Sequence, residues 1–200
     1  WNDVRTAELL IRAGADANVA NDFRMTPLSQ ACTNASSALV DLLLKAGARV
    51  SGTNALYREL DLDILESLQL LLSNGGDPNE KAPGVPTSDW GTPLLWGIRR
   101  RRSPAHIAAL LDAGADASVR TPEGTDAHTL ALRFGLTEVA RLLLQRIGGD
   151  AQLPPDEQFI AACARGDRPA ALRMQAEHPR LLSTLSPAQL RLLPELAAQP

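Results

Sequence analysis

Leucines cluster along this chain, and each cluster ends at a glycine. Leu9-Leu10, Leu42 to Leu44, Leu70 to Leu72, Leu110-Leu111 and Leu142 to Leu144 precede Gly14, Gly47, Gly75, Gly114 and Gly148. These glycines are 33, 28, 39 and 34 residues apart, a mean of 33.5. In the second copy, Leu39, Leu42, Leu43 and Ala46 fall at helical spacing and predict a helix with one apolar stripe. Gly47 ends it, because glycine enters the left-handed conformation without a Cβ clash. A partner helix is predicted just upstream. Thr26 can cap it, and Pro27 at the first helical position gives up an N–H that has no helical partner anyway. Two helices, a turn and a glycine stop therefore recur, which is the signature of stacked units that bury their faces against one another.

The copies differ in instructive ways. Residues 1–18 supply only a second half, a helix from Val4 to Ala13 followed by Gly14-Ala15-Asp16-Ala17-Asn18. Residues 19–51 are the most regular unit. In 52–79, Asn54-Ala55-Leu56-Tyr57-Arg58-Glu59-Leu60 replaces the Thr-Pro-Leu start, so an abbreviated inner helix and a shortened finger loop are expected. Residues 80–118 carry the opposite change: Glu80 to Gly91 is rich in Pro and Gly and reads as a long finger before Thr92-Pro93-Leu94. In 119–152 the finger tip is Pro122-Glu123-Gly124, Asp126 caps the inner helix and Gly135 makes the turn. The pattern loosens over 153–200. An inner helix surrounds Cys163, an outer one spans Ala170 to Glu177, and Ser186-Pro187-Ala188-Gln189 opens a last helix expected to run to about Ala198, with Pro194 bending it or breaking it early. Half-units at both ends predict that the array continues, and that its uncapped faces favour self-association.

Thr26-Pro27-Leu28-x-x-Ala31 with a following Leu-Leu-x-x-Gly-Ala resembles an ankyrin repeat, and the period agrees. A tetratricopeptide repeat would lack both the Thr-Pro-Leu start and the Gly-Ala-Asp-x-Asn loop. The Ala-, Leu- and Arg-rich dialect, with Ala162-Cys163-Ala164-Arg165-Gly166-Asp167, is similar to bacterial ankyrin-repeat proteins. The resemblance implies an all-α solenoid of helical hairpins joined by finger loops, without a true sheet. It also implies a non-catalytic scaffold that binds a partner protein on the concave face of finger tips and inner helices.

Composition supports this picture. Aromatic residues are 4% of the chain and the apolar share is mostly Leu and Ala, which suits close helix stacking and not a β-sandwich. A net charge of −3 predicts no general attraction to nucleic acid or anionic membranes, and no run is long enough to span a bilayer. Cys32 and Cys163 each follow an alanine at the same point of the pattern, so they read as core thiols and not as a disulfide. A cytoplasmic location is the expectation from the lack of a disulfide pattern or visible signal peptide, in a sequence that opens on Trp1 and not on Met.

Candidate chemistry is sparse. His106, His128 and His178 fall in three different units, nothing has metal-ligand spacing, and no phosphate loop is present, so neither catalysis nor a cofactor is expected. Aromatic residues on polar tips are the better pointer to a contact site. The candidates are Asn21, Asp22, Phe23 and Arg24 on the first finger, Trp90 on the long finger, and Arg120 and Glu123 in the fifth unit. Arg24 stands where ankyrin fingers usually carry glycine; a left-handed backbone there costs roughly 1–2 kcal/mol. Trp96 reads as core more than as contact, and Tyr57 fits either. Arg99, Arg100, Arg101 and Arg102 have two readings: a clamp for an anionic ligand or nucleic acid, or a solvated helix end covered by arginine stems. A regulatory segment of a larger enzyme is a further alternative to simple recognition of an unidentified protein.

Overall fold

The computed structural model describes residues 3–23, 25–81, 91–148 and 153–197. Arg24 and Trp90 lie outside them. The described residues form thirteen helices and no strand, and the chain divides into two compact units, 1–116 and 117–200.

The first unit is a double row of helices. The inner row is α2 (Pro27–Thr33), α4 (Ala55–Leu62) and α6 (Pro93–Arg99). The outer row is α1 (Val4–Arg12), α3 (Ser37–Lys45), α5 (Leu65–Ser73) and α7 (Pro104–Asp112). Neighbours pack along each row, α2 on α4 on α6 and α1 on α3 on α5 on α7, and each inner helix also packs on the outer helix that follows it. Leu28, Leu56 and Leu94, at one register position, are fully buried between the rows with Leu68, Ile107 and Leu110. Thr26 caps α2 as its sequence requires. Its Oγ1 accepts from Ser29 N at 3.2 Å, and Ser29 Oγ accepts from Thr26 N at 3.0 Å.

Two kinds of left-handed residue set the period. Gly14, Gly47, Gly75 and Gly114 end the outer helices with φ of 90°, 85°, 86° and 96°. The turns from inner to outer helix pass through Ala35, Asp63 and Arg101, with φ of 55°, 64° and 55°. These side chains accept a conformation that costs a non-glycine residue roughly 1–2 kcal/mol.

The loops after the glycines are stitched together. Asn18 Nδ2 donates to Gly47 O at 3.0 Å and its Oδ1 accepts from Arg49 N at 2.8 Å. Asn79 repeats this one hairpin pair further on, donating to Gly114 O at 2.9 Å and accepting from Asp116 N at 2.8 Å. Between them Ser51 Oγ does the same work, donating to Gly75 O and accepting from Asp77 N. The asparagine of each Gly-x-Asp-x-Asn loop is thus the stitch to the next loop, and a serine replaces it where the motif reads Gly47-Ala48-Arg49-Val50-Ser51.

The expected abbreviation of the third unit's inner helix is corrected. α4 spans eight residues, whereas α2 and α6 span seven, and the shortening falls in the finger before it. Asn54 enters α4 from a left-handed conformation, so the chain turns directly into the helix without an extended finger arm.

The second unit contains α8 (Ala127–Arg133), α9 (Thr137–Ile147), α10 (Pro155–Ala164), α11 (Arg168–Glu177), α12 (Leu181–Thr184) and α13 (Pro187–Ala197). α8 pairs with α9 and α10 with α11; α8 packs on α10, and α12 and α13 also pack on α10. Asp126 caps α8 through Thr129 N at 2.8 Å. Here the inner-to-outer turns are glycines, Gly135 and Gly166, with φ of 73° and 68°. A Cβ on Gly135 would stand 2.7 Å from the carbonyl oxygen of Ala164, so the close approach also demands glycine. Arg133 donates to Glu157 through Nε at 2.9 Å and through Nη2, and Gln189 Nε2 reaches Asp156 and Glu157 at 2.8 Å each. This network joins α8, α10 and α13. Ser186 and Gln189 form the expected capping box. The helix is not broken early at Pro194, and α13 continues to Ala197. The bond that proline removes is the one to the carbonyl of Leu190, an exposed residue where water can serve instead.

Candidate protein-binding face

The first finger is a small, self-supporting hairpin. Asn21 N donates to Met25 O at 3.1 Å, and Asn21 Oδ1 accepts from the backbone N–H groups of Phe23 and Met25 at 3.0 Å each. The side chain of Asn21 therefore builds the turn, an Asx-type arrangement that needs no outside support. Asp22 and Phe23 project from it, and the Phe23 ring is 84% exposed. In the second unit, Arg120 plays a comparable internal role. Its Nη1 donates to Gly124 O at 2.8 Å, and its backbone bridges that of Asp126 across the finger. Glu123 is exposed at that tip. The candidates thus fall into one group per unit, 21–23 in the first and Arg120 with Glu123 in the second.

The inner row of the first unit presents a second set of side chains. Asp61 of α4 accepts from Trp96 Nε1 at 3.1 Å and pairs with Arg100 Nε at 2.9 Å; Arg58 Nη1 lies 3.8 Å away. The Arg100 guanidinium sits over the Trp96 ring, 5.5 Å from its centre. Trp96 is consequently half-buried, neither core nor free contact. One turn on, Arg102 pairs with Asp63 at 3.0 Å and donates to Arg100 O. Arg100 and Arg102 therefore meet carboxylates of the preceding hairpin. Those pairings link residues far apart in sequence, and only the repeat register foretells them.

Tyr57 is fully buried, and its hydroxyl lies 2.7 Å from Glu80 O and 2.9 Å from Gly91 O. It ties together Glu80 and Gly91, one on each side of 82–90. Sequence reasoning left Tyr57 open; its place in α4, one register before the long finger, is the signal that could have assigned it.

Ser103, His106 and Asp63 approach a nucleophile arrangement. Ser103 Oγ is 2.8 Å from His106 Nδ1, and His106 Nε2 is 3.5 Å from Asp63 Oδ1. The chemistry does not follow from it. Pro104 removes the amide that would serve an oxyanion next to the serine. Burial pushes the His106 pKa down, with Asp63 opposing and Arg102 reinforcing. The set is the start of α7, with serine at the cap and histidine three residues on. Among the described residues no group of three or more His, Cys, Asp or Glu could hold a metal ion. Cys32 is buried and Cys163 partly so, against Phe159 and Ile160, and both are free thiols. No helix among the described residues is long and apolar enough to cross a membrane.

The family model for ankyrin repeats, comprising three copies, matches residues 1–82. Residues 1–82 are ankyrin repeats. Over 48 residues it is 48% identical to ankyrin repeat and SOCS box protein 16 of Homo sapiens, an alignment covering 24% of this chain and 11% of that protein. Ankyrin repeats are in general protein–protein interaction modules and typically non-catalytic. The matched residues carry the first finger, Arg58, Asp61 and Asp63, and Trp96, Arg100 and Arg102 follow them in the chain.

Proposed function

We propose that this ankyrin array is a non-catalytic scaffold that recognises a partner protein through its finger tips and inner helices. The observation that carries the reading is Phe23: a large ring, 84% exposed, on a turn already closed by Asn21. An aromatic side chain on a preformed support loses little freedom on binding, and such residues dominate interface energetics. Asp22, Arg24 and Trp90, and Arg120 with Glu123 on the second unit's finger, are the further proposed contacts. The carboxylate pairing of Arg100 and Arg102 weighs against a free phosphate clamp at Arg99 to Arg102.

The test is a pull-down from lysate of the source cell with mass spectrometry, comparing the chain with a Phe23→Ala/Trp90→Ala variant. Circular dichroism first establishes that both are folded. A protein retained by the parent and depleted at least tenfold by the variant is the expected result. Equal retention by both removes the fingers from the interface.

A further inference from the structure

We infer that Asn74 is a site of spontaneous deamidation through a cyclic imide, and that the isoaspartate it yields loosens the stitch between the loops after α3 and α5.

The sequence singles this residue out. The chain has seven asparagines, and Asn74 alone is followed by glycine; the others precede Asp3, Val19, Asp22, Ala35, Ala55 and Glu80. In the reaction, the backbone nitrogen of the next residue attacks the asparagine Cγ. Glycine presents that nitrogen with no side chain in the way. The attacking nitrogen gives its proton to solvent base, the side-chain nitrogen leaves as ammonia, and a five-membered imide closes. Water then opens the ring at either carbonyl. One opening leaves aspartate. The other leaves isoaspartate, whose main chain runs through the former side chain. Water is the one co-reactant.

Asn74 also stands where the other outer helices of the first unit carry Ala13, Ala46 and Ala113. It is the exposed C-cap of α5, with φ −103° and ψ 31°. Ring closure requires ψ to leave this setting and the Gly75 N–H to be released. Among the four corresponding glycines, that N–H is the most loosely held. Gly75 N lies 3.4 Å from Leu72 O, whereas Gly14, Gly47 and Gly114 lie 3.0, 3.0 and 3.1 Å from the matching carbonyls. Asn74 Nδ2 donates to Leu70 O at 2.8 Å, a bond that must also open. Both bonds lie in the exposed last turn of a helix, where fraying costs little.

The residues that follow leave no slack for a longer backbone. Gly75 O accepts from Ser51 Oγ at 2.9 Å, and Ser51 Oγ accepts from Asp77 N at 3.2 Å. Gly76 N donates to Leu71 O at 3.0 Å, and a Cβ on Gly76 would stand 2.9 Å from that oxygen and 3.1 Å from Val50 Cγ1. One added main-chain carbon at position 74 therefore moves Gly75 O off Ser51 or drives Gly76 into Leu71. The new carboxylate is unfavourable too, because it lies at the negative end of the α5 dipole.

The test keeps the intact chain and Asn74→Ala in mildly alkaline buffer, beside a urea-unfolded sample of the parent. Pepsin digestion in acid, which halts the reaction, and mass spectrometry follow each amide; protein isoaspartate methyltransferase counts isoaspartate. Over ten half-times of the unfolded sample, the folded parent should lose the Asn74 amide before any other asparagine converts. Asn74→Ala should accept at least tenfold less methyl. The converted parent, separated by anion exchange on its added charge and checked for fold by circular dichroism, should unfold at lower urea than the fresh chain. An intact Asn74 amide over that time overturns the inference, as does another asparagine converting first. So does equal methyl acceptance in the two chains, or an unchanged urea midpoint for the converted fraction.

Discussion

Glu59 is the least comfortable residue of the first unit. It stands four residues before the left-handed turn residue of its hairpin, where the other hairpins place Ala31, Gly97, Ala131 and Ala162. It is fully buried, and neither carboxylate oxygen has a hydrogen-bond partner. Burial raises its pKa from 4.5 to about 7, opposed by the neighbouring Cys32 thiol, whose own pKa is pushed up by burial and by Glu59. A carboxyl whose pKa is higher folded than unfolded stabilises the fold fully below the unfolded value. That contribution falls as pH rises from 4.5 to about 7 and then stays flat. At about 1.4 kcal/mol per unit, the loss between pH 5 and pH 8 is roughly 2–3 kcal/mol. Glu59→Gln removes the titration and keeps the shape. The glutamine amide brings its own fixed cost, so the informative quantity is the difference between parent and variant at two pH values. Other titrating groups cancel in that difference. Urea unfolding of both chains, followed by far-ultraviolet circular dichroism, should show the variant gaining about 2–3 kcal/mol relative to the parent from pH 5 to pH 8. A gap that is the same at both pH values would refute the argument, and would mean that water or a shifted side chain solvates the carboxylate.

Two further substitutions test the packing. Tyr57→Phe removes the hydroxyl that reaches Glu80 O and Gly91 O, and should lower urea stability by about 1–3 kcal/mol. Limited proteolysis of that variant should show faster cleavage within 80–91. Gly135→Ala and Gly114→Ala both place alanine at positive φ, but only Gly135 also meets a backbone oxygen at 2.7 Å. Gly114→Ala should cost about 1–2 kcal/mol, and Gly135→Ala measurably more in the same urea titration.

The architecture was legible because its signals are local. A threonine or aspartate cap, a proline at the first helical turn and a glycine at the outer end each act within a few residues, and Thr26, Asp126 and Gly47 do in the structure what their chemistry predicts. What escaped depends on neighbours one hairpin away. The Asn18 and Asn79 stitches, the Tyr57 tie and the Asp61 and Asp63 pairs all cross from one hairpin to the next. They become readable only when the hairpins are aligned on their left-handed turns, Ala35, Asp63 and Arg101, which the absence of glycine conceals. The same alignment exposes Glu59 in an alanine position. α4 was misjudged because Asn54 lacks the Thr-Pro-Leu start, although a left-handed entry launches a helix equally well. Of the candidate contacts, the exposure of Phe23 was legible from its polar neighbours. The internal roles of Asn21 and Arg120 were not, since each satisfies the backbone of its own finger.

The central claim is that finger tips and inner helices, not the outer helices, meet the partner. Hydrogen–deuterium exchange of the intact chain, alone and bound to the protein captured through Phe23, tests it most directly. The account predicts slowed exchange over 19–25 and along α4 and α6, with α3, α5 and α7 unchanged. Protection confined to those outer helices would contradict it.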